Sequence, residues 1–110
     1  MLPAMPAYLS FSATAILQAV ANGYGYGFDI MDATGLPSGT VYPALRRMED
    51  SGLIASQWEK VAVAQKEQRP PRKYYELTKS GTLALAEAAD RYRLADRSRA
   101  SARKPASARS

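Results

Sequence analysis

Two hydroxyls, a phenol and two guanidinium groups follow one another along one short stretch: Ser38, Thr40, Tyr42, Arg46 and Arg47. These are hydrogen-bond donors of the kind that hold phosphates and base edges, and arginine serves for either. A second group, Arg69, Arg72 and Lys73, lies within five residues, and its charges suit phosphate or minor-groove contact. Catalytic and metal chemistry have little to draw on. The chain has no cysteine and no histidine. Disulfides, thiolate metal sites, the commonest general base and the commonest transition-metal ligand are therefore missing. No paired acids or glycine-rich phosphate loop stand in a catalytic context, so an enzyme is not expected, nor a metal or cofactor.

The first group must be carried by a helix. Val41, Leu45 and Met48 fall at i, i+4 and i+7 and share one buried face, which leaves Thr40, Tyr42, Arg46, Arg47 and Glu49 on the other. Pro43 is tolerated if this helix begins near Gly39 or Thr40, since first-turn amides lack partners within the helix. Such a start, with free N–H groups, favours phosphate. Ser38 or Thr40 acting as a plain N-cap is the competing reading. Arg46 and Glu49 stand three apart, so one arginine can instead pair with Glu49 or Asp50. Tyr42 has two open roles, a phosphate contact and a core contact.

The remaining elements follow from periodicity and punctuation. Residues 1–11 form an apolar, proline-bearing lead-in. From Ser12 a helix runs with Ile16, Leu17, Val20 and Ala21 as its stripe, stopped at Asn22-Gly23. A glycine-punctuated turn leads to a second short helix with Phe28, Ile30 and Met31 as its buried side chains, ended by Gly35. After Gly52, residues 53–61 read as a strand, 62–70 as a charged loop and 71–77 as the return strand, so the pair forms a hairpin. Trp58, the single tryptophan, is expected to pack on the body, and Tyr74 and Tyr75 within the hairpin. Thr78 caps a final helix whose side Leu85, Ala88, Ala89 and Tyr92 lines. That stripe, with little chain left to cover it, predicts a partner surface, and symmetry makes the partner a second copy.

The length fits one small domain. The formal charge of +5 misleads if taken whole. Residues 1–80 hold eight Lys/Arg and seven Asp/Glu, whereas the last fourteen residues carry five basic groups and no acid. The excess is mainly a tail, Arg97 to Arg109, in a composition that predicts disorder. No apolar run reaches the roughly 20 residues of a membrane span, and no basic region opens a secretory signal. A cytoplasmic protein is expected.

Helix, helix, helix, strand, strand, long helix is the order of a winged helix-turn-helix: mainly α, with a two-stranded wing, followed by a C-terminal dimerisation helix. The divisions are 1–11 lead-in, 12–77 winged helix, 78–96 dimerisation helix and 97–110 tail. Gly23 through Ile30, Gly39-Thr40-Val41-Tyr42-Pro43-Ala44-Leu45-Arg46-Arg47-Met48-Glu49, Gly52-Leu53-Ile54, Trp58-Glu59 and Arg72-Lys73-Tyr74-Tyr75-Glu76-Leu77-Thr78-Lys79-Ser80-Gly81 closely resemble the PadR family of bacterial transcriptional regulators, over about residues 12–90. The resemblance implies a DNA-binding winged helix, a homodimer built by the last helix, and repression often relieved by a small phenolic or hydrophobic compound. The family's wing usually has glycine before its Arg-Pro; here Gln68 stands there, and Pro71 follows Pro70.

The sequence thus predicts a homodimeric repressor of a palindromic double-stranded operator. Ser38, Thr40, Tyr42, Arg46 and Arg47 would meet the DNA from the third helix, and Arg69, Arg72 and Lys73 from the wing. A small aromatic effector is a further expected partner, and no membrane is. The alternative is a winged helix used as a protein-interaction module whose basic tail binds an acidic partner.

Overall fold

Ser10 starts the fold by capping a helix. Its hydroxyl oxygen accepts the Ala13 N–H at 3.0 Å, and α1 runs Phe11–Ala21. The computed structural model describes residues 9–92; most of the expected lead-in, the end of the expected dimerisation helix and the basic tail lie outside them. Ile16, Leu17 and Val20 are buried as the stripe requires, whereas Ala21, counted with them, is exposed at the helix end. Thr14 is buried too, and its hydroxyl is satisfied by donating to the Ser10 carbonyl at 2.8 Å.

The second helix, α2, spans Gly27–Thr34. Gly35 ends it in the left-handed region at φ 75°, its N–H donating to the Met31 carbonyl at 2.8 Å. Ile30 is buried and Met31 half-buried, but Phe28 is 70% exposed rather than in the core. Two residues of helix turn a side chain by about 200°, so Phe28 and Ile30 cannot share a face.

The third helix, α3, runs Ser38–Asp50, with Val41, Ala44, Leu45 and Met48 buried. It begins earlier than the proline argument needs. Pro43 is its sixth residue, so the bond it fails to donate is an interior one, to the Gly39 carbonyl. Its exposed position confines that cost to the solvent side.

Strands β1 (Ile54–Trp58) and β2 (Lys73–Leu77) pair antiparallel, Ile54 opposite Leu77, Ser56 opposite Tyr75 and Trp58 opposite Lys73. The connection is not simply a loop. It contains a helix, α4 (Val61–Lys66), held by the fully buried Ala64. A six-residue helix has no stability of its own in water, so that anchor decides it.

The last helix, α5, spans Lys79–Tyr92. Its start is latched to the α3–β1 turn: the Thr78 hydroxyl donates to the Gly52 carbonyl at 2.6 Å and accepts the Gly81 N–H at 3.0 Å. A β-carbon at Gly81 would collide with the Leu53 carbonyl. The Leu-Thr-x-x-Gly element is therefore a close-approach joint.

The stripe on α5 is not left open. Leu85 is 8% exposed and joins the core with α1, and Ala88 is fully buried. Tyr92 stacks edge-on against Phe11, centroids 5.5 Å apart, and its hydroxyl donates to the Leu9 carbonyl at 2.8 Å. Leu85, Ala88 and Tyr92, with the half-buried Ala89 beside them, thus belong to a face that α1 and its approach cover within the chain. The premise that little chain remained to cover it fails, because the cover comes from the opposite end of the sequence.

Candidate nucleic-acid interface

With its buried face fixed to the core, α3 presents Arg46 and Arg47 to solvent. Neither has an ion-pair partner among the described residues. Glu49 is taken up elsewhere: the Ser56 hydroxyl donates to it at 2.5 Å and the Lys73 ammonium lies 3.6 Å away. The sequence-level alternative, an arginine consumed by Glu49 or Asp50, is not what the chain adopts. At the helix start the N-cap is Pro37, which offers no side-chain bond. Ser38 and Thr40 therefore do not cap the helix, and their hydroxyls have no protein partner among the described residues.

The wing treats differently the three cations expected to meet DNA. Arg69 grips Glu59 with two nitrogens, at 2.6 and 2.8 Å. Glu59 also accepts the Arg72 N–H at 3.2 Å, and its own N–H donates to the Arg72 carbonyl at 2.7 Å. The Arg69 guanidinium, aided by the Arg72 N–H and opposed by burial, holds the Glu59 carboxyl down to about 2. Arg69 is thus committed to closing the hairpin. Arg72 lies with its guanidinium carbon 4.1 Å over the Tyr26 ring and has no carboxylate partner among the described residues. Lys73 sits 5.8 Å from both the Trp58 and the Tyr75 rings, sharing its charge with Glu49. Burial, reinforced by the Glu49 charge, raises the Tyr75 hydroxyl above its ordinary value, with Arg46 opposing.

Tyr42 joins α3 to α2. A β-carbon at Gly27 would overlap its hydroxyl and ring, so glycine there is what lets the phenol lie across the start of α2. The side chain stays nearly half exposed, closer to the contact role than to the core role. Tyr42, Tyr26, Phe28, Trp58, Tyr75 and the segment Arg69–Lys73 then line a groove of about 580 Å³ between α2, α3 and the wing. Trp58 does not pack on the body; it is 63% exposed. It occupies the outer end of a strand whose inner end, Ile54, is buried, so the same sheet face passes from core to surface along its length. Phe28 and Trp58 are the site residues that sequence reasoning missed. The helical phase of Phe28 against Ile30 was the available signal for the first; none fixed the second.

Among the described residues, no cluster of acids could hold a metal ion. Comparisons with known proteins bear on the family and the fold. The model of the transcriptional regulator PadR-like family matches residues 16–87. No curated protein matches. Among solved structures, a PadR family transcription regulator from Clostridium difficile R20291 is similar at 28% identity, TM-score 0.64, covering 80% of this chain and 93% of that one. Bacillus subtilis PadR in complex with operator DNA is similar at 23% identity and TM-score 0.60, over 71% of this chain and 47% of that one. Bordetella bronchiseptica BpsR, whose DNA binding is regulated by 6-hydroxynicotinic acid, shares the fold at 18% identity and TM-score 0.64, over 92% of this chain and 73% of that one.

Proposed function

Because the chain belongs to the PadR-like family of transcriptional regulators, we propose that it is a homodimeric repressor in which α3 enters the major groove of a palindromic operator. The carrying observation is the exposed outer face of α3. Arg46 and Arg47 stand there without a carboxylate partner, on a helix whose opposite face is fixed to the core. A rigidly backed guanidinium loses little freedom when it meets a guanine edge or a phosphate. Ser38 and Thr40 at the uncapped helix start, with Tyr42 beside them, supply further donors toward a phosphate. On the wing, Arg72 and Lys73 contact the backbone. Arg69 acts through Glu59 and holds the hairpin that presents them.

Dimerisation places two copies of α3 on one side of the duplex, about 34 Å apart. Release by a small aromatic compound extends the reading, and the ligand-regulated BpsR neighbour supports it by analogy of fold. No helix among the described residues is long and apolar enough to cross a membrane. A DNA target places the protein in the cytoplasm.

The test is direct. Duplexes selected from a random library by the intact protein provide a probe, and Arg46→Ala/Arg47→Ala is titrated against it. The loss expected is about 2–6 kcal/mol, from removing two contacts worth ~1–3 each, with the circular dichroism spectrum unchanged. Unaltered affinity would place the reading surface elsewhere.

A further inference from the structure

We infer that Tyr26, outside the surfaces assigned to DNA, is a positioning residue whose ring holds the Arg72 guanidinium in place to meet the phosphate backbone. The inference deepens the DNA-binding reading above and rests on it. Of the three wing cations expected to meet DNA, Arg72 alone has no carboxylate partner among the described residues. Its guanidinium carbon lies 4.1 Å over the Tyr26 ring instead. An arginine loose in water samples many rotamers, and ordering it on binding lowers affinity. A cation resting on a ring face is ordered beforehand, and its in-plane N–H groups stay available to a phosphate. The Tyr74 hydroxyl adds a longer contact, accepting from Arg72 at 3.5 Å.

The ring is itself held still. Tyr26 is the N-cap of α2, where its carbonyl accepts the N–H of the buried Ile30 at 2.9 Å. Its backbone bridges to Tyr74, and the Gly25 carbonyl accepts the Tyr75 N–H at 2.7 Å. The Tyr26 and Tyr74 rings meet edge-on, centroids 5.5 Å apart. A β-carbon at Gly25 would press on the Tyr74 ring at 3.1 Å, so glycine there permits the approach. Backbone bonds thus fasten the wing root to α2 without help from the Tyr26 ring. The Arg72 backbone is fixed separately, through Glu59. What the ring adds is the direction of one guanidinium. Lys73 has no such seat: it lies 5.8 Å from each of two rings and is paired with Glu49.

The full-length parent, Tyr26→Leu, Tyr26→Phe, Arg72→Gln and the double variant Tyr26→Leu/Arg72→Gln are titrated against the selected duplex over a range of salt. Tyr26→Leu should bind about three- to tenfold more weakly than the parent. Tyr26→Phe keeps the ring face and should restore parental affinity. Arg72→Gln should bind more weakly and reduce the salt slope by about one. Once Arg72 is gone, Tyr26→Leu should cost nothing further. Additive losses in the double variant would assign Tyr26 to packing and overturn the inference, as would equal losses for Tyr26→Phe and Tyr26→Leu. A second measurement needs no change at Tyr26. In the free parent, the Arg72 side-chain protons, assigned by their absence from the Arg72→Gln spectrum, should resonate upfield of random-coil values through the ring current. Random-coil positions would overturn the stack. Parental affinity and salt slope in Arg72→Gln would end the DNA reading at Arg72 and the inference with it. A loss for Arg72→Gln beside none for Tyr26→Leu would end the inference alone.

Discussion

Gln68 is the one described residue other than glycine with positive φ, at 60°. It ends α4 in a two-bond motif: its N–H donates to the Gln65 carbonyl at 3.0 Å, and the Arg69 N–H reaches back to the Ala64 carbonyl at 3.1 Å. The same motif ends α3, with Gly52 at φ 81° in the equivalent place. The backbone route is thus kept where the residue type has departed from glycine, and a left-handed side-chain-bearing residue costs ~1–2 kcal/mol. Gln68→Gly should therefore stabilise the protein by about 0.5–1 kcal/mol in urea unfolding, part of the relief being returned as unfolded-state entropy. Gln68→Val should destabilise it by at least ~1 kcal/mol. If both variants match the parent, the strain at this position is not real.

At the level of the element, the wing is a hairpin closed by one ion pair rather than by a tight turn. Glu59 bonds the Arg69 guanidinium and the Arg72 N–H, so both ends of the α4 excursion meet at one carboxylate. Its carboxyl sits at about 2, below its ordinary 4.5. The depressed value fixes the sign: the contribution is full above about pH 4.5, declines as pH falls through the window, and is gone below about 2. Glu59→Gln keeps the shape and removes the charge. Its melting temperature should lie below the parent's by a constant gap down to about pH 5, and the gap should close toward pH 2. A gap of unchanged width in acid would trace the effect to packing. The short wing helix was not legible beforehand: Val61-Ala62-Val63-Ala64 carries no period long enough to separate helix from strand.

Across the whole molecule, α1 packs against α2, α3, α5 and β2. It therefore sets how the reading helix, the wing and the final helix stand relative to one another. Covering the inner side of α5 also shifts where a second copy can dock. Leu83, 67% exposed, lies on the side of α5 away from Leu85, which leaves that side open to a second copy in the proposed dimer. The spacing of half-sites tests the dimer independently of any interface residue. Inserting half a turn, ~5 base pairs, between the halves of the selected duplex puts them on opposite sides of the helix. Affinity should fall at least about tenfold, and a full-turn insertion should fall less. Equal affinity for all three duplexes would indicate that single protomers bind.

Local chemistry determined much of this protein from its sequence. Val41, Leu45 and Met48 fixed the inner face of α3, Gly35 and Gly52 the helix ends, Thr78 the cap of α5, and the order of elements the winged helix. These depend on period, handedness and hydrogen bonding within a few residues, which a sequence carries in plain form. Tertiary structure alone decided which charges are free. Arg69, Arg72 and Lys73 look alike in sequence; the fold gives the first to Glu59, the second to the Tyr26 ring and the third to Glu49. It also decided that Leu85 and Ala88 of the α5 stripe are buried within the chain, and that Phe28 and Trp58 face a groove. Each of these turns on partners distant in sequence, up to 83 residues apart for Tyr92 and Leu9, and no local pattern encodes such a meeting.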